Sequence, residues 1–361
     1  FTFNDASLGA MDIYGAWKND MRAIFLDAHM EEEGVSKTHV IGHVYPLKPE
    51  SKLDLNIETE HTNIQFLQYF MRSIVEDLHG RTSGKAHFYG KFKALNIEGN
   101  LMTDASLKIG ILNTSFTVTD TIRLSTSGIS FDNIRIADME GHQGTMNGKL
   151  NFRHFRDLSY HFEFNVNNML LMNTKENSDI NFYGKVYGTG NAMLIGNPQA
   201  LQVNAAVTTN RNTNFVYITN ATASAASNQF IKFVDKTPRR FVQDSINVMS
   251  EYDRLQQEME EEESKTDIRL NLLIDATPDA TMKIIMDPIA GDYISGKGSG
   301  NIRTEFFNKG DVKMFGNYRI NQGIYKFSLQ EVIRKDFIIK DGSSITFTGP
   351  PLDAPLDLPA S

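Results

Sequence analysis

The chain has no cysteine among its 361 residues. That excludes a disulfide framework, a thiolate zinc site and a cysteine nucleophile. It has no basic excess: its formal net charge is −8. Phosphate binding needs a basic face, so a nucleic-acid partner is disfavoured. No apolar run reaches the ~20 residues that a membrane-spanning helix needs. There is no Gly-x-Ser-x-Gly elbow and no His-Glu-x-x-His pair. Nothing in the residues argues for an enzyme, and no cofactor is called for. No signal peptide opens the chain, and Phe1 falls inside a strand-like run, so we expect part of something longer.

Three constellations are weak candidates for chemistry. His39 and His43 stand four apart, but on a strand that spacing spans about 13 Å, too far for one zinc ion to bridge. Gly296-x-Gly-x-Gly lacks the strand–loop–helix context of a phosphate loop, so a structural turn is the better reading. Asp287 and Asp292 flank a Pro-Ile-Ala-Gly turn, where an acid pair or ordinary turn residues both fit.

What the chain does have is alternation with period two, the mark of strands with one apolar and one wet face. Leu53, Leu55 and Ile57 alternate with Lys52, Asp54, Asn56 and Glu58. Phe116 and Val118 do so in the next clear run, then Phe162 and Phe164, then Val203 and Val207. Ile268, Leu270, Leu272 and Ile274 form the cleanest example, followed by Met282 and Ile284. Near the end come Tyr318 and Ile320, Tyr325 and Phe327, and Ile345 and Phe347. Glycine-led units beginning at Gly84, Gly144, Gly184 and Gly296 repeat a hairpin grammar with irregular spacing, not a solenoid period.

Two stretches change period. In residues 62–79, Ile64, Leu67, Phe70, Ile74, Val75 and Leu78 recur every three or four positions. With Thr62 as N-cap and Gly80 as C-cap, they predict an amphipathic helix. Residues 221–265 read as a helical insertion with an apolar stripe from Phe241 to Met259 and an acidic end at Glu258–Glu263. We therefore divide the chain into a repetitive β segment (1–220), the insertion (221–265) and a terminal β segment (266–361). The fold class is mainly β. The apolar faces must be buried in a sandwich, in a barrel, or along one sheet curled lengthwise into a trough, and the pattern alone does not separate these.

The terminal segment carries a resemblance. Gly316-Asn317-Tyr318, Gly323-Ile324-Tyr325-Lys326-Phe327-Ser328-Leu329, Lys335-Asp336-Phe337-Ile338-Ile339, Asp341 to Gly349, and Ala354-Pro355-Leu356-Asp357-Leu358 follow one another. In strand order, turn glycines and aromatic positions this resembles the carboxyl-terminal end of the TamB family, within the AsmA-like, bridge-like lipid-transfer group, over about residues 267 to 361. One departure is Gly349-Pro350-Pro351, where the family often has Gly-Asp-Pro. The resemblance implies an elongated β-groove (a β-taco) that holds phospholipid acyl chains, with the alternating apolar residues named above as its lining. It also implies a periplasmic location in a Gram-negative-type envelope, an inner-membrane anchor in the amino-terminal part, and an outer-membrane barrel partner of the TamA/BamA type. A periplasmic scaffold for outer-membrane barrel assembly is the alternative that the family also carries. A surface adhesin or other β-repeat binding module is a third, weaker reading.

Overall fold

A computed structural model describes residues 2–3, 6–32, 34–47, 51–70, 75–154, 156–176, 181–219, 266–310, 312–329 and 333–357. Among them the chain is almost entirely strand. A small pair, β1 (Thr2–Phe3) and β2 (Ala6–Ser7), stands apart. One large sheet takes up the rest. Its first part is a meander: β3 (Ala10–Lys18), β4 (Ala23–Glu32), β5 (Ser36–Tyr45), β6 (Lys52–Asn63), β7 (Val75–Lys91), β8 (Ala94–Ile109), β9 (Thr114–Ser125), β10 (Gly128–Asp138), β11 (Gln143–Arg153), β12 (Arg156–Thr174) and β13 (Phe182–Asn197). Each pairs antiparallel with its predecessor from β4 onward. Adjacent-strand hairpins are the natural product of alternating runs separated by short turns.

The order then changes. β14 (Ala200–Thr209) and β15 (Asn214–Ile218) lie end to end along one edge of β13. β16 (Asp267–Ala276) and β17 (Thr281–Asp287) run parallel to β14 and β15 and lie end to end along β18 (Asp292–Phe307). β19 (Lys313–Leu329) pairs β18, then β20 (Ile333–Ile339) and β21 (Ser343–Gly349) share its other edge, and β22 (Leu356–Asp357) follows. The pairings β13–β14–β16–β18–β17–β15 form a ring in the sense of a barrel. Physically the ring surrounds only the gaps at residues 210–213 and 277–280, because β14/β15 and β16/β17 are the collinear halves of two interrupted strands between continuous β13 and β18. No register pair among the described residues links β22 to β3.

Those gaps mark a fold line. The register also slips at Val166/Met169 and Leu170/Met172 on β12 and at Lys297/Gly298 on β18, at the same level. Threonines replace the broken backbone ladder there. Tyr187 N donates to Thr213 Oγ1 (3.0 Å), Thr277 N to Thr209 Oγ1 (2.9 Å), and Thr277 Oγ1 to Thr209 O (2.8 Å). Backbone groups left without a partner would be costly, so these hydroxyls make the interruption tolerable. Phe182 is level, through Tyr217 and Ile284, with Ile294 on β18. Phe306 lies twelve residues further on, about 40 Å along a flat strand. The two rings are nevertheless 6.4 Å apart. The sheet therefore bends at the line of breaks, so that Phe306 reaches Phe182.

Among the described residues of 62–79 the predicted helix does not form; residues 71–74, with Ile74 of the expected stripe, lie outside the described residues. Its place is taken by a 3-10 turn, Gln65–Phe70, and the start of β7. Register slips between Val75 and Asp77, so Val75 and Leu78 share a face. Together with Ile64 on the turn and Ala105 they make one buried cluster. A bulge thus reproduces a helical spacing of three. Gln68 locks it, donating Nε2 to Glu76 O (2.6 Å) and accepting from Leu78 N (3.3 Å). Gly80 is no helix cap: it lies within β7, where an added Cβ would meet Asp104 O at 2.5 Å. The second predicted helix, at 221–265, lies outside the described residues. No α-helix occurs among those described, and none is long and apolar enough to cross a membrane.

Gly296-x-Gly-x-Gly is likewise not a turn but the middle of β18. A Cβ at position 298 would sit 2.1 Å from Arg319 O of the neighbouring strand. Gly298→Ala is expected to push β18 and β19 apart and cost about 2 kcal/mol, as overpacking does, read as a fall in the urea midpoint at unchanged slope.

Candidate functional site

The registers carry one apolar position from strand to strand across most of the sheet. Ile13, Ala28, Val40, Ile57, Ala86, Gly99 and Leu124 follow one another from β3 to β9. Ile129, Leu150, Tyr160, Gly196, Leu201 and Ile268 continue the row to β16. Twelve strand-to-strand steps of about 4.8 Å make it roughly 58 Å long. A second row, Phe131, Gly148, Phe162, Leu194, Val203, Leu270 and Phe306, runs beside it from β10 to β18.

The predicted lining residues fall into three environments. Ile57, Phe116, Phe162, Phe164, Val203, Val207, Ile268, Leu270, Leu272, Ile274, Met282, Tyr325 and Phe327 are half-buried, while the intervening Arg269, Asn271 and Asp275 are exposed. Leu53, Leu55 and Val118 are more covered, at 7–8% exposure. Ile284, Tyr318, Ile320, Ile345 and Phe347 instead pack against one another in a closed cluster with Ile294, Ile302 and Ile339. Ile320 and Ile345 are 1% exposed, and burial pushes the Tyr318 hydroxyl up to about 12. The terminal segment thus fills its own apolar face, with Ile274, Met282 and Tyr325 packed at its margin. Phe116, Phe162 and Phe164 pack against a second buried cluster of Val118, Ile134, Ile136, Met146 and Met169, whereas Val203 on β14 and Leu270 on β16 stay partly accessible.

Polar groups interrupt the apolar face in ways the alternation did not reveal. Thr38, Thr59, Thr82 and Thr103 are buried on it. Thr38 and Thr59 hydroxyls meet at 3.1 Å, both contact Thr62, and Thr82 and Thr103 meet at 3.1 Å. Threonine suits a strand on either face by its branched side chain, so residue type alone does not mark these positions as buried.

A second polar feature lies at a hairpin tip. The side chain of Asp138, at the tip of the β10–β11 hairpin, is wholly buried. Its carboxylate accepts from Leu170 N (2.6 Å), Glu140 N (2.9 Å), His142 N (2.9 Å) and His142 Nδ1 (2.9 Å). Beside it Thr114 Oγ1 donates to Leu170 O (3.3 Å) and Asn113 Nδ2 to Asn173 O (2.7 Å), tying β9 to β12 past the hairpin. Burial alone would raise the Asp138 pKa. The bonds from Leu170 N, the His142 ring, His142 N and Glu140 N together outweigh it and hold the carboxyl below its ordinary value. A lowered folded-state pKa stabilises above the unfolded value and is lost as pH falls through the folded one. Asp138→Asn is expected to cost about 2 kcal/mol at pH 7, and to shrink the loss of stability that the parent chain shows below about pH 4. Urea titrations at pH 7 and pH 3 check both.

The weak candidates resolve as follows. Asp287 Oδ1 accepts from Ile289 N and Ala290 N (both 2.9 Å), and Asp292 Oδ1 from Ser328 N (2.6 Å), so each holds backbone. His39 does not join His43. It stands opposite His29 across the β4–β5 hairpin, with Asp27 between them. Sequence spacing misses that trio because only the hairpin register creates it.

Comparison with known proteins adds one positive finding. No curated protein and no solved structure matches the chain. The family model described as TamB C-terminal domain matches residues 132–361, from within β10 to the last residue. That is well over half of the sequence, and it contains the terminal cluster, the fold line and the half-buried rows of β12, β14 and β16, so the chain belongs to the TamB family.

Proposed function

We propose that this chain carries phospholipid acyl chains along the apolar side of its sheet, as part of a bridge between the inner and outer membranes. Membership in the TamB family implies a role in the Gram-negative cell envelope; the lipid cargo is our reading. The observation that carries it is the row from Ile13 to Ile268, apolar at every step and half-buried at many of them. A packed sandwich would bury such residues completely, as the terminal cluster does. An elongated trough, folded along the line of breaks, leaves room for ligand instead. Each methylene kept from water is worth about 0.8 kcal/mol, and an unbroken row lets a chain slide without leaving apolar surroundings. Such carriage needs no catalytic group, so we read the protein as a non-enzyme without cofactor. A barrel protein of the TamA/BamA type is the partner we expect at the outer membrane, with the anchor in the inner one.

Native mass spectrometry of the purified chain, with lipid extraction alongside, tests this. Bound phospholipid masses are expected, and a lipid-free particle would overturn the reading. The scaffold alternative has its own observation. The edge strand β3 has no partner on its outer side among the described residues and exposes Met11, Ile13, Tyr14 and Trp17. Such an edge can accept an added strand.

A further inference from the structure

The wet side of the sheet gathers a trio unrelated to lipid carriage. His29 and His39 are directly opposed on β4 and β5. Their rings stack with centroids 4.2 Å apart and 9° between planes. Both Nε2 atoms converge on one oxygen, Asp27 Oδ1, at 3.0 Å from His29 and 2.8 Å from His39. The three possible ligand atoms all lie within 4.8 Å of one another. Ordinary cross-strand histidines need neither face each other nor share an acceptor.

We propose that Asp27, His29 and His39 bind a divalent transition metal such as zinc. Two imidazole nitrogens and a carboxylate oxygen are a zinc ligand set that leaves one position for water. In the metal-free arrangement both Nε2 atoms face the carboxylate, each in position to donate N–H to Asp27 Oδ1. On binding, the ring protons move to Nδ1 and the Nε2 lone pairs turn to the metal. Charge around the trio favours a cation: Asp12 on β3 is in register with His29, and Glu58 on β6 with His39. Glu58 is itself paired with Lys85 at 2.5 Å, which offsets part of its charge. The ion would clip β4 to β5, one strand in from the edge.

The test uses the whole chain without a polyhistidine tag, which would bind the same ions. Calorimetric titration with zinc chloride is expected to show one saturable site, and zinc is expected to raise the Tm. Asp27→Asn keeps the shape and is expected to weaken binding by about tenfold or more. His29→Ala with His39→Ala is expected to remove both the site and the Tm rise, while His87→Ala leaves both intact. All three positions are on the wet face, with side chains 30–60% exposed, so the fold survives substitution. Should the double variant misfold by circular dichroism, Asp27→Asn carries the test alone. Absence of saturable binding, or zinc binding that these variants retain in full, would overturn the site.

Discussion

A Leu270→Asp chain, purified folded from cells, is expected to lose nearly all the phospholipid that the proposed function expects the parent chain to retain. Leu270 lies in β16 between Val203 and Phe306. It is half-buried, and its neighbours along the strand, Arg269 and Asn271, point to the wet side and are exposed. If the proposed lipid carriage holds, a carboxylate there would meet acyl chain on one side and apolar side chains on the other. Such a charge costs several kcal/mol in apolar surroundings, and each 1.4 kcal/mol is tenfold in occupancy. A loss of about a hundredfold or more is therefore expected, read as the ratio of lipid-bound to lipid-free masses. Asn271→Asp, one residue away on the opposite face, is the control and is expected to leave the ratio unchanged. Normal lipid content in a folded Leu270→Asp chain would remove β16 from the lining.

Ile320→Ala is expected to do the opposite: destabilise the chain by about 3 kcal/mol while leaving lipid content alone. Ile320 is 1% exposed and belongs to the terminal cluster with Tyr318, Ile345 and Phe347. Truncating a fully enclosed isoleucine leaves a cavity and typically costs about 2–5 kcal/mol. Urea unfolding at constant protein concentration measures it, and native mass spectrometry of the same sample reads the lipid. A loss below about 1 kcal/mol would mean that the terminal segment is not a filled core. The pair of variants separates two roles that the same alternating pattern serves, lining and core.

That ambiguity shows what the sequence could and could not convey. Alternation at Ile268–Ile274 located a strand and its faces correctly, because one buried side fixes a period of two. It did not distinguish Leu270 from Ile320, since accessibility depends on what lies across the fold line. Among the described residues of the helix expected at 62–79, a 3-10 turn holds Leu67, and one bulged residue, Glu76, gave Val75 and Leu78 their helical spacing. The glycines at 296, 298 and 300 were read as a turn, yet they are strand residues whose lack of Cβ lets β19 approach. Buried Thr38 and Thr59 were invisible because a threonine fits either face. Asp27, His29 and His39 were missed because their neighbourhood is set by the β4–β5 register and not by their spacing along the chain.

The parallel join between β14 and β16 also bears on how the molecule is built in time. From β3 to β13 every pairing joins consecutive strands, so the sheet can lengthen one hairpin after another with only short loops to close. The join at Ala200 and Asp267 is different, for it must bring together residues 67 positions apart. Closing so long a loop is entropically costly before any contact is rewarded. The two halves are therefore expected to zip up separately and to meet last at this seam. The seam is also where a pulling force or a mild denaturant would first part them, leaving two shorter sheets that each keep their own hairpins.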